Sequence, residues 1–306
     1  MRLGVLDVGS NTVHLQVIDA HRGSRPVHAS SFKTELRLTE YLDEENRINA
    51  EGRVALLRTI DDSLSQSTEL HLDEVLAFAT SAIREAENGG EIIAEINTKL
   101  GLDLQVLSGE EEAKFTFLAV RRWMGWSSGD LLVLDIGGGS LEIAAGSDET
   151  PELAHSYPVG AGRMTREFLK GDPFTSKSVD NLRDHLETTL APLIEDFSAY
   201  RSYRVIGTSK TFRTLARLTS ELLGDGSGII LRKSLDSLTK KLIEMTTAER
   251  ARLPRVSQSR AHQIVAGAIV AKHIMNELEI STIEICPWAL REGIVLRRID
   301  WLENLN

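Results

Sequence analysis

LLVLDIGGGSLEIAAGS, residues 131–147, decides the reading of this chain, because its frame stands once already as LGVLDVGSNTVHLQVID at residues 3–19. In each copy an apolar run ends on an aspartate, turns through Asp-x-Gly, and leaves as a strand of alternating polarity. In the first turn, Asp7-Val8-Gly9-Ser10-Asn11-Thr12, Gly9 permits a tight turn, and Ser10, Asn11 and Thr12 set side-chain donors beside consecutive amides. Such a hairpin is an anion-binding nest. The second turn, Asp135-Ile136-Gly137-Gly138-Gly139-Ser140, removes three side chains in a row, so that backbone amides can approach phosphate oxygens. Each glycine costs roughly 1 kcal/mol against alanine in regular structure. Either turn alone also suits a plain hairpin. The repetition of the frame, with Ser140 matching Thr12, points to a phosphate site gripped from two sides of a cleft.

Outward from these turns the chain repeats a plan of strands before helices. RLGVLDVG, TVHLQVIDA and VHASSFKTELRLTE read as a meander, followed by a helix with Val54, Leu57, Ile60 and Leu64 at helical spacing and by the strand EVLAFATSA. Then come the helix GGEIIAEINTKLG, stopped by Gly101, and a strand, turn and helix over LDLQVLSGEEEAKFTFLAVRRW. The second round has strands at 130–136, 141–146 and 153–159, helices over 160–198, the strand RSYRVIGTS, the helix KTFRTLARLTSELLG, two further helices, the strand TIEIC and a last helix WALREGIVLRRIDWLENL. Two related α/β domains follow, residues 1–117 and 118–306, divided inside the helix near 113–128.

Bulk composition excludes several classes. With 306 residues, 42% hydrophobic and 26% charged, the chain is an ordinary globular length for two domains. No basic and apolar leader stands at the N-terminus, and the longest apolar run, IVAGAIVA at 264–271, is short of the roughly 20 residues of a spanning helix. It reads as a buried helix with Gly267 at a close contact. The single cysteine, Cys286, suits a reducing cytoplasm and an inert core thiol. No membrane or nucleic-acid partner is expected. The net charge of -10 is uneven: residues 1–117 hold 11 Lys/Arg against 21 Asp/Glu, whereas residues 201–260 hold 13 basic and 5 acidic side chains, which suit either solvated helix faces or a surface for a polyanion.

Aspartates are poor phosphate ligands by charge. Asp7 and Asp135 make sense with a divalent cation between carboxylate and phosphate, Mg²⁺ with its water shell, and Glu142 is a further carboxylate for it. SGEEEAKF sets Glu110, Glu111 and Glu112 at a helix start, where they either cap and offset the dipole or supply a base for an attacking water. Glu142 follows Ser140 on the same strand face. Thr80 and Ser81 cap a strand-to-helix turn with Arg84 one turn on, where a guanidinium can clamp phosphate. Thr208, Ser209 and Lys210 open a helix after Gly207 with hydroxyls, an ammonium and a helix N-terminus, although helix capping also accounts for Ser209. His14 reads as a satisfied hairpin histidine.

VLDVGSNTVHL, FATSAIREA, LSGEEEA, LDIGGGSLEI and ALREGIVLRR stand in the order and spacing of the exopolyphosphatase/guanosine pentaphosphate phosphatase family, which the whole chain resembles. The resemblance implies two ribonuclease H-like domains of the actin, heat-shock 70 and sugar kinase superfamily with an interdomain cleft. It implies removal of terminal phosphate from inorganic polyphosphate with Mg²⁺, and a homodimer. It puts Glu112 in the place of the catalytic base, Glu142 as its partner acid, Asp135 beside the metal, Asn11, Arg84 and Ser140 on phosphate, and Gly137, Gly138 and Gly139 in the second phosphate loop. Two departures stand out: Lys210 after Ser209, and Cys286-Pro287-Trp288 where the family commonly has Ser-Asp-Gly. Longer members carry a further helical domain, so a preference for shorter polyphosphate is expected. Hydrolysis of guanosine pentaphosphate at its 5′ end and phosphotransfer to nucleotides are the neighbouring activities. A kinase of the same superfamily would show a Gly-rich adenine loop, and a non-catalytic sensor would have no need of Glu112, Glu142 and Asp135 together.

Overall fold

The computed structural model describes residues 1–21 and 25–303; residues 304 and 305 of the last expected helix lie outside them. The chain divides into two compact units, Met1–Glu112 with Arg291–Asn306, and Ala113–Leu290. The sequence had assigned everything after residue 117 to the second domain. The final helix instead belongs to the first unit.

In the first unit, β1 (Arg2–Val8), β2 (Thr12–Asp19) and β3 (Val27–Glu35) form the meander, followed by α1 (Ala50–Ser67), β4 (Glu74–Ala79), the single turn α2 (Ser81–Arg84), α3 (Gly89–Leu100) and β5 (Leu104–Val106). The sheet order is β3-β2-β1-β4-β5, with β4 parallel to β1 and β5 parallel to β4. Leu6, Val8, Val13 and Leu15 bury one sheet face against Leu56 and Ile60 of α1 and Ile92 and Ile96 of α3. Each such side chain contributes about 1.5–3 kcal/mol by leaving water. The helical stripe on α1 is rotated from the one expected: Leu56, Ile60 and Ser63 are buried, while Val54 is 66% exposed. Gly52 decides this rotation, since a Cβ there would lie 2.5 Å from Tyr41, so the helix approaches its neighbour along the Gly52–Leu56–Ile60 line.

After α4 (Gly109–Met124), which spans the division, the second unit runs β6 (Leu131–Ile136), β7 (Leu141–Gly146), β8 (Leu153–Tyr157), α5 (Ala161–Phe168), α6 (Ser176–Thr189), α7 (Ala191–Phe197), β9 (Arg204–Thr208), α8 (Ser209–Leu223), β10 (Ile229–Leu231), α9 (Arg232–Glu244), α10 (Thr247–Arg250), α11 (Gln258–Glu277) and β11 (Thr282–Ile285); α12 (Leu290–Glu303) closes the chain. Its sheet order is β10-β11-β9-β6-β7-β8. From β8 to β11 this is the order and direction of the first sheet, with β10 added antiparallel at the edge. Each unit is therefore a ribonuclease H-like α/β layer, and the repeated turns join equivalent strand pairs. Gly267 on α11 packs as expected, since a Cβ would meet Thr211 at 2.6 Å. Cys286 is fully buried with Phe117 and Val133, in keeping with an inert thiol.

Candidate active site

Both repeated turns close in the same way. The amide of Gly9 donates to the Thr12 carbonyl at 3.0 Å, and that of Gly137 to the Ser140 carbonyl at 2.9 Å. In the first unit the turn is held by side-chain and backbone bonds together. The hydroxyls of Ser10 and Ser81 are 2.9 Å apart, which fastens the turn to the start of α2, and the Asn11 carbonyl accepts from Leu36 and Arg37 at 3.0 and 3.1 Å. Asp7 pairs across the sheet with His14. Burial pushes its carboxyl above the usual carboxylate range, opposed by the Arg291 and Lys33 charges and reinforced by Glu292. Arg291 of α12 lies 3.9 Å from the Asp7 carboxylate and also bonds Nδ1 of His14, whose Nε2 meets Ser31 Oγ at 3.0 Å. His14 is thus a satisfied hairpin residue. The ALREG segment carried a family match without a role; here it supplies Arg291 to Asp7.

The three glutamates of α4 separate cleanly. Glu111 caps the helix: its Oε2 accepts from the Ser108 amide at 2.8 Å and the Ser108 hydroxyl at 2.9 Å, and its own amide donates to Ser108 Oγ at 3.2 Å. Glu110 is exposed, and only Glu112 turns inward, with 6% of its surface accessible. Arg84 reaches it, donating from Nη1 to Glu112 Oε1 and, at 2.7 Å, to the Leu107 carbonyl. Two residues expected to contact the reaction are therefore brought together within one unit. A guanidinium carries five donors, so Arg84 keeps donors for phosphate while it orients the carboxylate. Thr80 gives α2 no side-chain cap.

In the second unit Asp135 and Glu142 are direct cross-strand partners and so share one face of the sheet. The hydroxyl of Ser156 on β8 donates to Glu142 Oε1 at 2.9 Å, and Glu142 Oε2 lies 4.0 Å from where a Cβ of Gly137 would stand. The glycine turn is held from behind by the first turn of α5. The carbonyls of Gly137, Gly138 and Gly139 accept from the amides of Ala161, Arg163 and Gly160 at 3.0, 2.9 and 3.2 Å. All three glycine carbonyls are thereby engaged, while the amides of Gly138 and Gly139 donate to no acceptor among the described residues. Gly160 makes this contact possible: a Cβ there would fall 2.4 Å from Gly139 C and Ser140 N. The signal for it, GAGR at 160–163, stood in the sequence without a partner to give it meaning.

Thr208 and Ser209 depart from expectation. Thr208 is fully buried and donates from Oγ1 to the Trp288 carbonyl at 2.6 Å, so its hydroxyl supports the turn and does not face a ligand. Ser209, at φ 71°, donates to the Ile136 carbonyl at 3.1 Å, and the Thr208 side chain gives α8 no cap. The unusual Cys-Pro-Trp run thus has a structural part: Trp288 anchors Thr208 and packs on Trp123 with ring centres 5.3 Å apart. Lys210 is exposed on the first turn of α8.

Asp135 and Glu142 of the second unit offer hard oxygen donors. Among the described residues no three His, Cys, Asp or Glu side chains cluster as a metal cage. This donor set suits Mg²⁺, which takes one or two carboxylates and keeps waters and phosphate oxygens for its other positions.

Comparison with known proteins identifies the family of the chain. The chain is 49% identical over 305 residues to exopolyphosphatase 1 of Mycobacterium tuberculosis, covering 98% of this chain and 89% of that protein. It is 47% identical to exopolyphosphatase 1 of Mycobacterium leprae, with 98% and 90% covered. The crystal structure of an exopolyphosphatase from Cytophaga hutchinsonii superposes with a TM-score of 0.88 at 25% identity over 98% of both chains. The model of the Ppx/GppA phosphatase family matches residues 17–301, and the chain belongs to that family.

Proposed function

We propose that the protein is an exopolyphosphatase, which hydrolyses the terminal phosphoanhydride of inorganic polyphosphate. The observation that carries this reading is the glycine turn of the second unit: its carbonyls are fixed by α5 and its Gly138 and Gly139 amides remain for phosphate oxygens. The names of the mycobacterial relatives support the choice of substrate.

Glu112 accepts a proton from the attacking water and orients it in line with the terminal phosphorus, with Glu142 as the second carboxylate. Arg84 fixes the Glu112 carboxylate and stabilises charge on the transferring phosphoryl group. The amides of the glycine turn, with Ser140, and the first turn, through Asn11 and Thr12, hold phosphate oxygens. Lys210 adds positive charge beside the substrate. Asp135 and Glu142, and Asp7 of the first unit, would offer oxygen donors to Mg²⁺, which would neutralise charge on the phosphates. The reading includes a cytoplasmic setting, supported by the single buried Cys286, and a homodimer, supported by the family resemblance and testable by light scattering. Among the described residues no helix is long and apolar enough to cross a membrane.

The test is phosphate release from tripolyphosphate, long-chain polyphosphate, guanosine pentaphosphate and ATP, each with Mg²⁺ and with chelator. Mg²⁺-dependent release that is fastest on polyphosphate is the expected result. Faster turnover of guanosine pentaphosphate would move the assignment to the sister activity, and no release from any of the four would overturn it.

A further inference from the structure

Beyond the glycine turn, α8 carries cations of which the site uses only Lys210. Lys210, Arg213 and Arg217 stand at spacings of three and four, which puts them on one stripe of the helix. The stripe starts at the Ser209 turn, whose hydroxyl is bonded to the end of β6 at Ile136, so its first cation is beside the phosphate loop of the same unit. Arg213 is fixed along it, donating to the Ser209 carbonyl at 3.1 Å and the Pro287 carbonyl at 3.5 Å. Arg217 is exposed and makes no ion pair or hydrogen bond among the described residues. The stripe ends in a surface pocket of about 310 Å³, lined by Arg213, Arg217, Ser220, Ser227, Gly228 and Pro287 and bordered by Glu221.

We infer that this pocket and stripe form a distal subsite for the inner phosphates of a polyphosphate whose terminal unit occupies the glycine turn. The inference rests on the exopolyphosphatase reading and deepens it. An arginine held by two carbonyls beside one with no internal partner is suited to a ligand that brings several negative charges in a row, since each guanidinium presents a planar fork of donors to phosphate oxygens. From Ser209 to Arg217 the helix rises by about 12 Å, at about 1.5 Å per residue. That reach covers several phosphate repeats and exceeds what a single phosphate or pyrophosphate can use. The Ser220 and Ser227 hydroxyls add neutral donors in the pocket. Glu221, one turn after Arg217, puts a negative charge at the far end, so the favourable field stops there. The subsite thus distinguishes chains by length: a short oligomer reaches Lys210 and Arg213, and a longer one also engages Arg217.

The test compares the unaltered protein with Arg217→Ala and Arg217→Glu, measuring both equilibrium binding and KM for tripolyphosphate and for long-chain polyphosphate. The expected result is a ratio of long-chain to tripolyphosphate affinity that falls about three- to tenfold in Arg217→Ala, as loss of one exposed charge contact allows, and further in Arg217→Glu. The salt dependence of long-chain binding should become shallower at the same time, because one fewer cation faces the polymer. An unchanged ratio and an unchanged salt slope in both variants overturn the subsite. Because binding is read without turnover, that result differs from failure of the activity itself, in which the unaltered protein releases no phosphate from either polymer.

Discussion

The turn at residues 7–12 and the turn at residues 135–140 occupy equivalent places in two equivalent sheets, close with the same hydrogen bond, and carry different chemistry. Across the strand from Asp7 stands His14; across from Asp135 stands Glu142. The likeness extends to the next strand–helix junction, Thr80-Ser81 with Arg84 in one unit and Thr208-Ser209 with Arg213 in the other. In the first unit side chains, Ser10 to Ser81 and Asp7 beside Arg291, share the work of fixing the turn with the backbone bonds to the Asn11 carbonyl. In the second, three glycines give that work to backbone carbonyls on the first turn of α5. One fold can thus carry side chains at one copy of a turn and bare glycine amides at the other, because the hairpin bond needs only the glycine amide and leaves the intervening residues open.

The largest test of this asymmetry concerns the acid on the side-chain half. Glu112→Gln should lower turnover by about 10²–10⁴-fold with little change in polyphosphate binding, since it removes a proton acceptor and keeps the shape; steady-state release and equilibrium binding read the two separately. An active Glu112→Gln protein would remove the base assignment.

Next in size is Gly160→Ala. Its Cβ would lie 2.4 Å from the backbone of the glycine turn, so stability should fall by about 1–3 kcal/mol, seen as a lower Tm, together with phosphate affinity. Gly9→Ala, whose Cβ would meet only Thr12 O at 3.5 Å and Asp7 at 3.7 Å, should shift stability by about 0.5 kcal/mol or less. Equal losses in the two would erase the distinction between the turns.

Thr208→Val comes third. It leaves the Trp288 carbonyl without its donor and should cost about 1–3 kcal/mol in denaturant unfolding, without the direct loss of substrate contact that the sequence alone implied.

The smallest effect concerns Asp7. Its carboxyl is held above the ordinary range chiefly by burial, so the folded state keeps a proton that the unfolded chain has lost. Stability therefore falls as pH rises from the usual carboxylate pKa through the raised one. Asp7→Asn should flatten that part of the pH–Tm curve and raise Tm at neutral pH, while activity declines. A lower Tm at neutral pH would show that the Arg291 charge outweighs burial.

Much of the site was legible in the order of residues. A strand that must end, turn and return writes its aspartate, glycine and alternating pattern into neighbouring positions, so both turns and the carboxylates Asp7, Asp135 and Glu142 could be read locally. Local chemistry left the choice among Glu110, Glu111 and Glu112 open, and only the family motif pointed to Glu112. All three sit at one helix start, and only the packing of Arg84 and Ser108 separates the capping carboxylate from the inward one. Thr208 was misread for the same reason: a hydroxyl at a strand end looks available until Trp288, 80 residues away, takes it.

By itself the sequence determined the doubled α/β plan, the two Asp-x-Gly turns and the family motifs, because hydrophobic periodicity and turn chemistry act over a few residues. Only the tertiary structure decided that α12 returns to the first unit with Arg291, that Gly160 and α5 lock the glycine carbonyls, and that Glu112 is the acid turned inward. Those outcomes depend on contacts between residues far apart in the chain, where burial and close approach select one partner among many of equal local propensity.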